Sequence, residues 1–276
     1  MLHQMSYPTR VFTAAAVGAM LALPAVSLAQ DNRPVVVVFT FTNSSIGSAR
    51  SEFDGVSTGI QDLLITDLAS NAKIRLVDRA HLNEVLTEQK LAKDGQIDPT
   101  TAVRLGKILG AQYAVTGGFM SDGHGSLILT GRTIDIETTQ ITNPTKIDGK
   151  ADNVLAALTE LSTKVSSNMN LAPKPGASRG DAGNAGKSAP AQSGYGTKTA
   201  PAPTNAANAV LFAKPTTKPD ALKVKLDAPT LKIYSQALDA MDAKDNAKAI
   251  ALFKQVLAKF EKFEPAQRNL EKLGAA

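Results

Sequence analysis

The chain has 276 residues, 43% of them hydrophobic, and a formal net charge of +5. This length and composition provide for one or two modest hydrophobic cores. Cysteine is absent, which excludes disulfide frameworks, thiolate nucleophiles and cysteine-ligated metal sites. Aromatic residues make up 5% of the chain and the basic residues are dispersed, so the composition does not indicate a surface for nucleic acid.

The first 29 residues have the pattern of an export signal. Arg10 precedes an apolar run from Val11 to Leu23, and Ser27-Leu28-Ala29 fits a small-x-small cleavage site. The run is shorter than the roughly 18–20 residues that a membrane-spanning helix needs. We therefore predict a signal peptide over 1–29, removed during general export to the periplasm, and no transmembrane segment in the mature chain. A retained membrane anchor is the alternative.

The positive charge is concentrated in one segment of the chain. Residues 30–171 contain 13 basic and 16 acidic residues, whereas residues 172–228 contain 8 basic and 3 acidic ones. The second segment is rich in Ala, Pro, Gly and Lys and lacks periodicity, which predicts a disordered linker. Such a linker either only solubilises or also contacts an anionic cell wall weakly. Its one apolar island makes Leu211 and Phe212 candidate partner-binding residues; an incidental apolar patch is the alternative.

Strand and helix patterns alternate in the first part of the mature chain. Val35–Phe41 is an apolar, β-branched run typical of a strand covered on both faces, and Ile74–Val77 predicts a second strand. An apolar stripe from Phe53 to Leu68 predicts the helix between them. Asp78 is a candidate N-cap for the helix that follows the second strand.

The next stretch carries the clearest local signals. Asp98 is a good N-cap, Pro99 suits the first helical position, and Gly110 can adopt the left-handed conformation that ends a helix. Tyr113–Thr116 then predicts a buried strand.

Consecutive strands and a closing helix complete this region. Leu127–Ile136 predicts a strand, and Gln140–Ile147 is a further run whose Pro144 suits an edge strand. A helix begins near Val154. The pattern predicts one α/β (α+β) domain over 30–171, with a mixed sheet flanked by helices.

Residues 229–276 return to helical periodicity. Apolar spacing predicts two amphipathic helices joined at Lys244-Asp245-Asn246, and Pro265 opens a third short helix. The segment resembles a tetratricopeptide repeat (TPR), because small Ala237 and Ala249 stand where the two helices of such a repeat approach each other.

A single repeat of this kind is not expected to be stable alone. Arrays of such repeats need roughly three or more units to bury a continuous core. The hairpin is therefore expected to dock on its own domain, to self-associate or to meet a partner. Tyr234, Leu238 and Met241 fall on the face that would line a repeat groove, which makes them candidate partner-binding residues. The alternative is that they form local core.

An ordered set of short motifs runs through the α/β region: VVVVFTF at Val35–Phe41, LVDR at Leu76–Arg79, LGKILGA at Leu105–Ala111, YAVTG at Tyr113–Gly117, and IDIE at Ile134–Glu137. With these motifs, residues 34–167 resemble the family of the curli production assembly and transport component (CsgG-type). The resemblance implies a periplasmic scaffold, with an envelope or secretion-machinery protein as partner or with self-association. Pore-forming members carry an acylated cysteine and extra membrane hairpins; this chain has no cysteine and only short connections, so pore formation is not expected.

No pattern for catalysis accompanies this resemblance. The chain contains no phosphate-binding loop, dinucleotide fingerprint or G-x-S-x-G motif, and His81 and His124 lack a second ligand at metal spacing. Asp78-Arg79 is interpreted as an N-cap with a surface or inter-subunit salt bridge. We therefore predict no enzyme, no catalytic residue, no metal and no cofactor.

The leading hypothesis is a periplasmic or cell-envelope assembly or adaptor protein, peripheral to the outer membrane, whose tethered hairpin recruits a second protein. One alternative is a tethered regulator that activates a cell-wall synthase through the basic linker. The other alternative is a subunit of an outer-membrane secretion complex.

Overall fold

The computed structural model describes residues 31–89, 98–168 and 225–275. In chain order the elements are β1 (Val35–Val38), β2 (Thr42–Asn43), α1 (Ser48–Glu52), α2 (Ser57–Leu68), β3 (Arg75–Leu76), α3 (Arg79–Glu88), α4 (Pro99–Ile108), β4 (Tyr113–Ser121), β5 (Ser126–Asp135), β6 (Ile141–Lys150), α5 (Val154–Asn168), α6 (Ala228–Asp242), α7 (Asn246–Lys259) and α8 (Glu264–Lys272). The predicted signal peptide, most of the predicted linker, and Leu211 and Phe212 with it, lie outside the described residues. None of the helices in these ranges has the length and apolarity that crossing a bilayer requires.

The strands form one mixed sheet of six strands in the order β3-β1-β4-β5-β6, with β2 beside β4. β1 pairs in parallel with β3 and β4, whereas β4, β5 and β6 are antiparallel. The predicted strand Val35–Phe41 is shorter than expected, and the chain resumes pairing with β4 at β2. The side chain of Gln61 in α2 donates to the carbonyl of Val38 at 2.8 Å, where β1 ends. The predicted fold class, a mixed sheet flanked by helices, is confirmed.

Two hydrophobic cores lie on opposite faces of this sheet. Alternation along β1 sends Val36 and Val38 into a core with α2 and α5, and Val35 and Val37 into a second core with α3 and α4. A strand that is buried on both faces must be apolar at every position, which is why the run of four valines occurs here.

The predicted helix signals are confirmed at most positions. The carboxylate of Asp78 accepts from the Ala80 N–H at 2.8 Å, and that of Asp98 accepts from the Thr100 N–H at 2.9 Å. Gly110 has a φ of +66°, as expected for a residue that follows a helix. The stripe from Phe53 to Leu68 is not one helix, because the chain turns at Gly55, whose φ is +76°, between α1 and α2.

The C-terminal helices α6, α7 and α8 confirm the three helices predicted there. They dock on their own α/β domain, which is one of the three arrangements expected from the sequence. Leu231 and Leu238 of α6 belong to the same core cluster as Ile60 and Leu64 of α2. The resemblance to a tetratricopeptide repeat stays a prediction, because a pair of packed helices also occurs in many helical hairpins that are not such repeats.

The chain is anchored in this core on both sides of residues 169–224. α5 ends at Asn168, and Leu226 is again fully buried, with its carbonyl accepting from the Val154 N–H at 3.0 Å. Both described ends therefore belong to one compact unit, which spans Asn32–Ala276. The connecting residues thus join two points of one body, where the sequence suggested a tether between two bodies.

A side-chain substitution in α6 tests whether the hairpin and the α/β domain unfold together. Leu231→Ala removes a fully buried side chain that packs at the N-terminal end of α2. We expect a loss of about 2–5 kcal/mol in the free energy of unfolding. Hydrogen exchange should accelerate in α2 as well as in α6. Gln236→Ala, at an exposed position of the same helix, is the control; unchanged exchange in α2 would contradict a shared core.

Candidate functional site

Two of the predicted partner-binding residues lie in the core between the hairpin and the domain. Tyr234 and Leu238 are fully buried, and Met241 is partly buried against the same core. The Tyr234 ring meets Phe253 at 5.8 Å and Phe263 at 5.2 Å between ring centroids, the latter edge-on. In this conformation the residues are local core, which is the alternative that the sequence left open. Binding of a separate partner through them stays a prediction.

A glycine allows α6 to approach α2 closely. A Cβ atom at Gly59 would lie 2.4 Å from Ser235 Oγ and 2.8 Å from Leu231 Cδ1, so no larger residue fits without movement. The Gly59 N–H, in the first turn of α2, donates to Ser235 Oγ at 2.9 Å. Since the first N–H groups of a helix lack partners within the helix, α6 caps α2 from outside.

A buried ionic network lies beside this contact, and we call it the Arg79 network: Asp62, Arg79, Asn83, Tyr234, Asp242 and Asn269. Asn83 belongs to it because its amide donates to Asp242 Oδ2 at 2.7 Å. Arg79 is only 4% exposed; its Nε donates to Asp62 Oδ1 at 3.3 Å and its Nη1 donates to Asp242 Oδ2. The Tyr234 hydroxyl donates to the second oxygen of Asp62 at 2.6 Å. The network thus joins α2, α3, α6 and, through the Asn269 amide at 3.2 Å from the Tyr234 hydroxyl, α8.

The electrostatics of the network keep Arg79 charged. Burial alone would lower the pKa of Arg79, but the carboxylates of Asp62 and Asp242 outweigh burial and raise the pKa above its ordinary value. Burial, followed by the nearby Asp62 charge, raises the pKa of Tyr234 well above its ordinary value, so the phenol remains a neutral donor. The predicted N-cap at Asp78 is confirmed, whereas the salt bridge of Arg79 is internal to the chain and buried.

A second surface was not singled out by the sequence. We call it the open face: Gly118, Met120, Ile128, Thr130, Arg132 and Lys146. Strand pairing places Met120 opposite Ile128 and Gly118 opposite Thr130, with Lys146 of β6 next to Thr130. Helices α3 and α4 cover this side of the sheet only near Ala114 and Ile134, and Met120 remains 41% exposed.

The open face contains a depression of about 480 Å3. Its charged lining residues are Arg132 and Lys146, and none of the described residues that line it is acidic. Arg132 Nε donates to the hydroxyl of the buried Thr116 at 3.2 Å, which orients the guanidinium. Alternation in β5 could have indicated this surface, because apolar Ile128 falls on the same side as Thr130 and Arg132.

The described residues contain no group of His, Cys, Asp and Glu side chains placed to hold a metal ion. His81 Nδ1 lies 3.6 Å from Glu84 Oε2 on α3, and His124 lies exposed in the turn between β4 and β5. Of the residues that the structure describes, none that lines the depression on the open face belongs to the Arg79 network. The polar groups of the network bind each other, which is the chemistry of a structural connection.

Removal of the Arg79 guanidinium tests that role. Arg79→Met leaves the carboxylate of Asp62 in the protein interior without its cation, which should lower the free energy of unfolding by about 3–5 kcal/mol. Urea unfolding followed by circular dichroism measures the loss. Arg104→Met, at an exposed position of α4, is the matched control and should change little. An equally small effect at Arg79 would show that the network is dispensable.

The first part of the chain matches the model of a known protein family. The family model for the curli production assembly/transport component CsgG matches residues 19–124, which is less than half of the chain and reaches the turn after β4. No curated protein is similar in sequence to the chain.

Several solved structures are similar to parts of the chain. The LpoB C-terminal domain from Escherichia coli is 20% identical with a TM-score of 0.35, over 42% of this chain and 82% of that one. Lipoprotein GNA1162 from Neisseria meningitidis is 14% identical with a TM-score of 0.36, over 49% of this chain and 98% of that one. These likenesses carry no argument about function. Up to the turn after β4, the chain is similar to the CsgG family.

Proposed function

We propose that the chain is a non-enzymatic adaptor or assembly protein of the bacterial cell envelope, located in the periplasm or peripherally at the outer membrane. The observation that carries this proposal is the match of the CsgG family model to residues 19–124. A component of an assembly and transport system works through contacts with other proteins, and the family resemblance favours the same mode of action here.

The packing of the hairpin supports an adaptor that acts as one rigid body. The Arg79 network and the shared core hold α6 and α8 against α2 and α3. A partner would then be recruited by an outer surface of this body, since the groove-side residues Tyr234 and Leu238 are occupied. This differs from the tethered hairpin that the sequence suggested, and it leaves the outer faces as the surfaces to test.

Cross-linking in intact cells tests the adaptor function. The full chain, exported and carrying a purification tag, should enrich one or a few envelope proteins at a fixed ratio, or a second copy of itself. Size-exclusion chromatography with light scattering, on the chain purified from the periplasmic fraction without detergent, measures the mass of the chain together with any bound copy or partner. An unrelated exported protein at equal abundance is the control. A monomer without any enriched envelope protein would refute the proposal.

The charge of one segment favours a second candidate, a regulator that activates a cell-wall synthase. Residues 172–228 contain 8 basic and 3 acidic residues, a balance suited to an anionic cell wall. Replacement of 172–223 with about 20 Gly and Ser residues leaves enough chain to run from the end of α5 back to Leu226, so it should abolish the cell-wall phenotype while the α/β domain stays folded. Replacing only the basic residues of the same segment with Gln keeps its length and separates the effect of charge from that of length. A normal phenotype after the Gly and Ser replacement would count against this candidate.

The third candidate is a subunit of an outer-membrane secretion complex. It is distinguished in the same fractionation, because a complex subunit should remain with the outer membrane after a high-salt wash, whereas a soluble adaptor should be released.

A further inference from the structure

We infer that the open face binds an acidic, amphipathic helix of a partner protein. The inference rests on the adaptor function proposed above and names the surface and the chemistry of the partner. Three features of the open face support it: the missing helical layer on this side of the sheet, the apolar side chains left exposed there, and the positive charge around them.

The helical layer on this side of the sheet is incomplete among the described residues. α4 packs tightly on the sheet at one end, where a Cβ at Gly106 would lie 2.2 Å from Ile136 Cδ1. Beyond Ala114 and Ile134 no described helix continues the second core. Layered α/β domains cover the apolar parts of their sheets with helices, so a helix supplied by another chain fits the uncovered part.

Two apolar side chains are left partly exposed in the uncovered part of the sheet. Met120 is 41% exposed and Ile128 is half-buried, and the two are direct cross-strand neighbours. A sheet face that is exposed to water is usually polar at such positions, so this cross-strand pair is the apolar contact that a partner helix would cover. Gly118, on the same side, places no side chain over the depression, which leaves room for side chains that project from a helix.

The charge of the open face selects an acidic partner. Arg132 and Lys146 are exposed, and across 31–89, 98–168 and 225–275 no acceptor is bound to the terminal Nη atoms of Arg132. Among the described residues Lys146 pairs with Asp148 at 3.0 Å, and Asp148 lies opposite Ile128 on the same side of the sheet, so the positive charge without a counter-charge on this face is that of Arg132. A guanidinium that is already oriented by Thr116 is suited to a carboxylate, which it can bind through two parallel hydrogen bonds.

The same charges disfavour two other occupants. A second copy that used the same surface in a two-fold dimer would bring Arg132 and Lys146 of both copies together. The segment 172–228 of this chain is itself basic, with 8 basic and 3 acidic residues, so it has the wrong sign to cover the face. An acidic, amphipathic helix of another protein can pack its apolar side on Met120 and Ile128 and place its carboxylates near Arg132 and Lys146.

A pair of designed peptides tests the inference on the full chain. One peptide, about 15 residues long, has Leu at helical spacing flanked by Glu; its counterpart has Lys in place of every Glu. Fluorescence anisotropy measures the dissociation constant of each. The Glu peptide should bind, and Arg132→Glu with Lys146→Glu should weaken it about tenfold and favour the Lys peptide instead. Lys248→Glu with Lys254→Glu, on the exposed side of α7, makes the same charge change and should have no effect.

A variant in the apolar part separates this mode from simple charge attraction. Met120→Lys adds a positive charge beside the depression but removes the exposed thioether. It should weaken the Glu peptide if the helix packs on the face, and strengthen it if charge alone attracts the peptide. Circular dichroism on each variant establishes that the fold is intact.

Several outcomes would overturn the inference. These are equal binding of both peptides, unchanged binding after charge reversal at Arg132 and Lys146, and a soluble anionic cell-wall polymer that binds the face while the Glu peptide does not. If the double variant keeps its cross-linked envelope partner in cells, the adaptor function stands and the partner uses another surface. If the unmodified chain has no envelope partner at all, the proposed function itself fails.

Discussion

A charged side chain in the protein interior determines how the two parts of this chain are joined. Arg79 begins α3, reaches Asp62 of α2 on the domain side and Asp242 of α6 on the hairpin side, and is almost inaccessible to water. A buried guanidinium tolerates its surroundings only while both carboxylates remain in place, because desolvation of an unpaired charge costs several kcal/mol. The network therefore ties the docked position of the hairpin to α2 and α3, because movement of α6 would separate Arg79 from Asp242 and leave its charge in the protein interior.

The close approach of α6 to α2 depends on the same arrangement. Gly59 removes a side chain at the crossing point, and Ser235 satisfies a backbone N–H that α2 leaves without a partner. The hydroxyl of Tyr234 reaches Asp62 because the helices are this near. Packing, capping and charge pairing thus reinforce one another, which is typical of a contact that belongs to the folded state and is not a transient encounter.

Local signals in the sequence predict where helices and strands begin and end, but not which elements pack against each other. Asp98 with Pro99 and Gly110 delimit α4 because caps act through neighbouring residues, and the valines of β1 indicate a strand buried on both faces. Periodicity places Tyr234 and Leu238 on the face that would line a repeat groove, but it cannot say whether a partner or the chain's own α/β domain fills that face. The buried pairing of Arg79 is not predictable from local sequence for the same reason, because its partner Asp242 lies 163 residues away in the chain. Likewise, the uncovered half of the sheet appears only when α3 and α4 are seen to end short of Met120.

The anchoring of the chain at Asn168 and again at Leu226 has a topological consequence. The core that contains Leu158 of α5 and Leu231 of α6 is built from two stretches of chain that meet through side chains, independently of the residues that connect them. A break in the backbone between 169 and 224 would thus convert one polypeptide into two that remain bound as a non-covalent pair. A molecule cut there would keep its architecture, because the shared core and the pairing of Arg79 with Asp62 and Asp242 would hold the two pieces together.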